Sequence, residues 1–485
     1  MHLFDTFEPK ELWKYFGEIL EIPRPSKKED AIRSYLVQFA EARNLPWKTD
    51  SAGNVLISKP ASKGMEDRST VILQSHMDMV GEKNSGTNHN FDTDPIKPYI
   101  DGEWIKAEGT TLGADDGIGI AAQLAVLSSD TLVHGPLECL FTSDEESGLT
   151  GAMMLEEGFL SGKTLINLDS EDEGEFFIGC AGGKDTLARL DFRRKKTPEG
   201  YKAYEVSISG LTGGHSGDEI HKGQGHSIKI LNRFLWETSR EIDLRLAHFD
   251  GGNLRNAIPR EAKATVCING NNTELLKDRF FSYTDRTRNE LKLREPNPVF
   301  GFREADLPDY VIGRKAQERL FNSIYACPHG VVEWSREIPE LVETSTNLAS
   351  VKFLQESDTV LITTSQRSSV ESAKNDIASQ VLAVFELAKA KVEHSKGYPG
   401  WAPNKESAIL AVMSSTYRSI FAEEPKIKAI HAGLECGLFL EKFPWLDMIS
   451  IGPTIKGAHS PDERLLIRST VRFWKLLTTV LKRIP

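Results

Sequence analysis

Short apolar runs that end in polar clusters punctuate both ends of the chain. Residues 70–74 (TVILQ) lead into Ser75-His76-Met77-Asp78, and Leu137–Thr142 (LECLFT) leads into Ser143-Asp144-Glu145-Glu146. Residues 164–168 (TLINL) lead into Asp169, and 447–451 (DMISI) lead through Gly452-Pro453 to His459. Runs this short suit buried strands, although periodicity alone does not separate them from buried helix. Helical spacing of apolar residues covers 8–22, with Pro9 in the first turn, and 27–43, opened by Ser26 and an acidic first turn. Residues 116–129 (DGIGIAAQLAVLSS) read as a helix with a small-residue face. Strands alternating with helices predict an α/β sandwich around a mostly parallel central sheet. In such sheets ligands gather beyond the carboxyl ends of the strands, where the four polar clusters would meet.

The middle of the chain has another texture. Between 184 and 395, strand-like pieces (AYEVSISGL, AKATVCING, DTVLITTSQRSS) alternate with amphipathic helices at 223–241 and 372–392. This predicts a separate α+β domain at 184–395, inserted into a catalytic domain made of 1–183 and 396–485. Residues 394–400 (HSKGYPG) would be the return linker. There is no short-period repeat or low-complexity tract.

Composition narrows the function classes. The 485 residues are 39% hydrophobic and 27% charged, ordinary for a globular protein. The net charge of −11 argues against nucleic acid as the partner, because phosphate binding needs clustered Lys and Arg. No stretch approaches the ~18 uncharged apolar residues of a membrane span, and no basic segment followed by an apolar run opens the chain. Cys139, Cys180, Cys267, Cys327 and Cys436 are scattered and contain no C-x-x-C, which fits a reducing compartment and a cytoplasmic protein.

The candidate chemistry lies in the polar clusters. On a strand His76 and Asp78 share a face, so the carboxylate can accept the second imidazole N–H and fix the ring as a metal ligand. Leu112-Gly113-Ala114-Asp115-Asp116-Gly117 marks a tight turn into a helix, with Asp115 a candidate to bridge two cations. In Ser143-Asp144-Glu145-Glu146, one glutamate can bind metal while the other stays free as a general base. Asp169 ends a strand, and His459 sits in a glycine-bearing loop. Each alone has an ordinary structural explanation, such as a helix cap or a solvated turn. Together, two histidines and three carboxylates with a spare glutamate point to a metal pair. Nitrogen and oxygen donors without sulfur suit zinc, manganese or cobalt.

The set HMD, GADDG, DEESG, NLD and GAHSPDE, in this order from residue 76 to residue 463, resembles the co-catalytic zinc exopeptidases. That family includes carnosinases, aminoacylases, tripeptide aminopeptidases and glutamate carboxypeptidases. Within it the aminoacyl-histidine dipeptidases are the most similar branch, through GGHSGDEIHKG (213–223), GGNLRNAIP (251–259), ETSTNLA (343–349) and HAGLECG (431–437). The resemblance implies two Zn²⁺ per subunit, with Co²⁺ or Mn²⁺ as substitutes. It implies His76 and Asp169 on one metal, Glu146 and His459 on the other, and Asp115 across both, with a cis Asp115–Asp116 peptide. Asp78 would orient His76, and Glu145 would be general base and acid. The insert resembles the family's lid, where His215 would stabilise the oxyanion and Arg367 would clamp the substrate carboxylate. Asn256 and Glu435 would help bind substrate, the latter at the free α-amino group. A homodimer is implied as well. The lid histidine then acts in its own or the partner subunit's site.

The activity so implied is hydrolysis of unblocked dipeptides, preferentially Xaa-His, including β-alanyl-histidine. The alternatives are a tripeptide aminopeptidase or N-acyl-amino-acid deacylase of the same family and, from another class, a non-catalytic metal- or peptide-binding protein.

Overall fold

The computed structural model describes residues 3–354 and 356–485. Its contacts divide the chain into two units, each with its own sheet. The first comprises 1–180, 401–429 and 434–485, and the second 181–400 together with 430–433. The expected insert, 184–395, lacked the short return at 430–433.

In the first unit an eight-stranded sheet has a parallel centre. Val71–His76 lies between Leu137–Thr142 and Thr164–Asn167, and Asp447–Ser450 pairs parallel to Thr164–Asn167. Val71–His76 and Leu137–Thr142 are buried at every position, which is why they read as continuous apolar runs rather than alternating ones. The register sets Val71 opposite both Leu137 and Thr164, so the carboxyl ends reach the same edge. The flanks are antiparallel, with Val55–Lys59 against Leu137–Thr142 and Glu175–Cys180 against Asp447–Ser450.

The helix Ala114–Ser128 is apolar nearly all round and correspondingly buried. Lys10–Leu20 packs against it. The C-terminal helix Ile467–Arg483 buries one stripe (Phe473, Leu476, Leu477, Val480, Leu481) at the spacing of a helix face. The helix expected at 27–43 spans Asp30–Ala42 and starts after Glu29, whose side chain makes no capping hydrogen bond, and not at Ser26. The Ser26 hydroxyl instead donates to the Asp78 carboxylate at 2.7 Å. A small antiparallel sheet places 457–463 as the loop between Ile455–Lys456 and Arg464–Leu466.

The second unit is an antiparallel nine-stranded sheet. Helices Ser227–Ser239, Thr273–Leu291, Arg314–Ala326 and Glu371–Leu387 share its core, built on Val206, Ile208, Val266, Leu348, Val360 and Ile362. The helix expected at 372–392 stops at Leu387, and Lys391–His394 is a strand on Gly182–Asp191. All five cysteines are free and buried. Among the described residues no helix is long and apolar enough to cross a membrane.

Candidate metal centre and peptide-binding residues

The carboxyl ends of the parallel strands carry the cluster. His76 closes its strand with Nε2 3.0 Å from Asp115 Oδ1 and 3.4 Å from Asp169 Oδ1. The other Asp115 oxygen, Oδ2, lies 3.1 Å from His459 Nε2, and Glu146 Oε2 lies 2.9 Å from the same nitrogen. One carboxylate therefore turns one oxygen to each histidine. Asp115, Glu146 and His459 bring ligand atoms within reach of a single ion, as do His76, Glu145 and Glu146. A third such group is His76, Asp116 and Asp169, although Asp116 Oδ1 already accepts the Gly119 amide at 3.1 Å. The Asp115–Asp116 peptide is cis.

Asp78 lies behind His76. The ring's Nδ1 is 3.1 Å from the Asp78 carbonyl and 3.4 Å from its carboxylate. That carboxylate also accepts the amides of Glu145 at 3.0 Å and Glu146 at 3.2 Å. Burial works against its charge, yet hydrogen bonds from His76, Ser26 and the Glu145 amide bring its pKa down to about 2.

The electrostatics of the cluster favour cations. Burial disfavours a charged His76, but Asp169 and Asp115 raise it well above the usual range. Hydrogen bonds with Asp115 and Glu146 push His459 up to about 11. Asp115 is buried too, and its two imidazole neighbours hold it far below the usual carboxylate range. Glu145 and Asp169 move up instead, through burial and the carboxylates around them. Glu146 Oε1 is buried and has no hydrogen-bond partner. More negative charge converges here than two imidazolium protons offset, and the donors are the nitrogens and oxygens that hard or borderline divalent metals take. The residues present fit a metal pair.

Glu435 is fully buried beside this cluster. Its Oε2 accepts Gln74 Nε2 at 2.6 Å and Thr142 Oγ1 at 2.9 Å, while Oε1 has no partner. Burial pushes it up to about 7.

The second unit gathers the other candidates. His215 Nδ1 sits 3.1 Å from the Asp218 carboxylate. The next residue, Ser216, donates its amide to the Asn256 carbonyl at 2.7 Å, so Asn256 borders the His215 loop with its own side chain exposed. Arg367 is buried in its strand opposite Ser345, donates from Nη1 to the Tyr398 hydroxyl at 3.0 Å, and leaves Nε without a partner. Ser345 Oγ also lies 2.7 Å from Nε2 of the buried His431. Asn347, two residues along the same strand, donates to the Arg255 and Ala257 carbonyls and so ties down the loop that carries Asn256.

Two buried charged residues escaped the sequence pattern. The Arg24 guanidinium donates to the carbonyls of Met77 (2.9 Å), Asp78 (2.7 Å) and Gly113 (2.5 Å). The Glu463 carboxylate accepts the amides of Leu112, Gly113, Ala114 and Asp115 at 2.7 to 3.3 Å. Glu463 closes the GAHSPDE motif, which was its only signal. Nothing around Arg24 marked it.

A histidine–carboxylate cluster at the strand ends of an α/β unit, on a chain that also carries an inserted α+β unit, is the construction of a metal-dependent hydrolase. The profile of the peptidase family M20/M25/M40 matches residues 72–483, and the chain belongs to that family, so it is a peptidase. It is 44% identical to the cytosol non-specific dipeptidase of Escherichia coli (strain K12), over 100% of both chains. The crystal structure of the aminoacylhistidine dipeptidase from Vibrio alginolyticus superposes with a TM-score of 0.92 at 45% identity, covering 99% of this chain and 98% of that one. The aminopeptidase PepT from Bacillus cereus shares the fold at 16% identity, with a TM-score of 0.58 and 99% of each chain covered.

Proposed function

We propose that the chain is a two-metal dipeptidase that hydrolyses unblocked dipeptides, preferentially Xaa-His. The observation that supports this most is the Asp115 carboxylate, one oxygen 3.0 Å from His76 Nε2 and the other 3.1 Å from His459 Nε2. His76 and Asp169 would hold one ion, Glu146 and His459 the other, with Asp115 across both. Zinc is proposed as the native metal, with cobalt or manganese in substitution. A metal pair supplies Lewis acidity at the scissile carbonyl and a nucleophilic water near neutral pH.

The rest is the work of the chain's own residues. Glu145 accepts the proton of the attacking water and returns it to the leaving amine. Asp78 keeps the His76 ring in place. Glu435, with one buried oxygen free, receives the substrate's α-ammonium. His215 donates to the oxyanion, Arg367 clamps the terminal carboxylate with its planar fork, and Asn256 assists in binding. We further propose that the protein acts in the cytoplasm as a homodimer, which sedimentation equilibrium checks.

The names of the two close relatives suggest different breadths, one non-specific and one selective for histidine. The test is a panel assay. The chelator-stripped chain, reloaded with Zn²⁺, Co²⁺ or Mn²⁺, is given β-alanyl-histidine, a dipeptide lacking histidine, a tripeptide and an N-acetyl amino acid. The proposal expects metal-dependent turnover of the dipeptides alone, fastest with C-terminal histidine. Faster cleavage of the tripeptide or the N-acetyl amino acid would replace it with an aminopeptidase or a deacylase. No turnover of any substrate would leave a binding protein.

A further inference from the structure

The turn that carries Asp115 is gripped from two sides. Four successive amides, from Leu112 to Asp115, converge on Glu463, which is 2% exposed. Each Glu463 oxygen accepts two of them, so the carboxylate spends its acceptor capacity on this one stretch of main chain. On the other side the Gly113 carbonyl accepts from Arg24, which is 1% exposed. Arg24 simultaneously holds the carbonyls of Met77 and Asp78, next to His76. Two glycines make room for it. A Cβ at Gly113 would lie 2.8 Å from Arg24 Nη2, and one at Gly117 would lie 2.7 Å from the same atom.

These contacts join three separate segments. Glu463 shares the 457–463 loop with His459. Arg24 reaches the segment of His76, and both grip the turn of Asp115. Leu112, Gly113 and Ala114 are buried, so their amides must find acceptors inside the protein, and a single carboxylate serves them together with the Asp115 amide. Here the gripped residue is the one whose two oxygens face the two histidines.

We propose that Glu463, with Arg24 opposite, is a positioning residue that sets the Asp115 carboxylate between the two metal sites and so determines how tightly the pair of ions is held. This rests on the two-metal reading above. Glutamine at 463 would aim its amide N–H groups at two backbone N–H donors, leaving them unpaired in a buried site. Aspartate keeps the charge but is a methylene too short to reach all four. Removing an outer partner of a metal ligand typically weakens metal binding about 10- to 100-fold.

The experiment titrates the stripped full-length chain with CoCl2, following the visible Co²⁺ bands and the binding isotherm, for wild type, E463Q, E463D and E138Q. Glu138 is the matched control: it is also buried and accepts the amides of Ser161 and Gly162, at the opposite end of its strand from the cluster. Expected is uptake of two Co²⁺ by wild type and E138Q, at least tenfold weaker uptake by E463Q with altered bands, and an intermediate value for E463D. Thermal midpoints without metal should drop no further in the Glu463 variants than in E138Q. Wild-type uptake and bands in E463Q would overturn the proposal alone. So would failure of the Glu463 variants to melt cooperatively where E138Q does, since the residue would then hold the unit and not the ligand. No uptake by wild type would overturn the two-metal reading, and this proposal with it.

Discussion

The Asp78 carboxylate accepts the main-chain amide of Glu145 at 3.0 Å. The group that steadies His76 therefore also fixes the start of the turn bearing the proposed general base. Glu145 donates to one Asp78 oxygen and Glu146 to the other, so replacing Asp78 by Asn sets an amide donor against one of these two N–H groups. D78N should lose about 10- to 100-fold in metal affinity, the usual effect of an outer-shell change, and lose kcat as well. Isothermal titration beside steady-state kinetics checks both.

Glu145→Gln leaves every proposed ligand in place and removes the proton acceptor. Turnover should fall by about 10²- to 10⁴-fold, the span of general acid–base catalysis, while two metals remain bound by elemental analysis. Activity near that of the wild type would sink the assignment.

Arg367 is buried and oriented by Tyr398, so its planar fork is presented in one direction. R367K keeps the charge and loses the fork. KM for dipeptides should rise by about 10-fold or more, the order expected for losing one charge-assisted hydrogen bond of ~1.5–3 kcal/mol, with a smaller change in kcat.

His226 and His431 in the second unit are both buried, which lowers each to about 3. His226 Nε2 lies 2.8 Å from the Leu348 carbonyl, and its Nδ1 accepts the Lys229 amide. Between pH ~6.5 and about 3 the unfolded chain binds protons that the folded chain does not. The stability these groups contribute is complete above pH ~6.5 and declines as pH falls, by about 1.4 kcal/mol per pH unit for each. From pH 7 to pH 4 the thermal midpoint should fall less steeply, or rise more, in His226→Gln than in the wild type, the difference widening as pH drops.

A Cβ at Gly452 would sit 1.6 Å from the Ser170 carbonyl oxygen. Backbone cannot yield as a flexible side chain would, and Ser170 adjoins Asp169. Gly452→Ala should give insoluble protein or a steeply lowered melting midpoint, readable by expression yield and calorimetry.

The parallel core was legible because strands buried on both faces leave unbroken apolar runs, and each run stops where its polar cluster begins. His76, Glu146 and Asp169 were legible because they sit at or just past those stops, whereas Asp115, at a helix start, and His459, in a loop, stood out through their motifs. Ser26 was misread as a cap: local spacing near a helix start cannot reveal a partner as distant as Asp78. The same holds for Arg24 and Glu463, whose importance lies wholly in carbonyls and amides brought to them by the fold. The helix expected at 372–392 absorbed a strand because its apolar positions continue past the turn at Lys389, where φ is +62°.

The visit of 430–433 to the second unit has a practical consequence. Ala181 shares its amide between the carbonyls of Ile430 and Ala432, and His431 is bonded to Ser345. The insert is therefore not a cassette: swapping 181–400 between relatives would leave these four residues facing a foreign neighbour. A working chimera has to exchange both segments together, with the joins placed at 180/181, 400/401, 429/430 and 433/434.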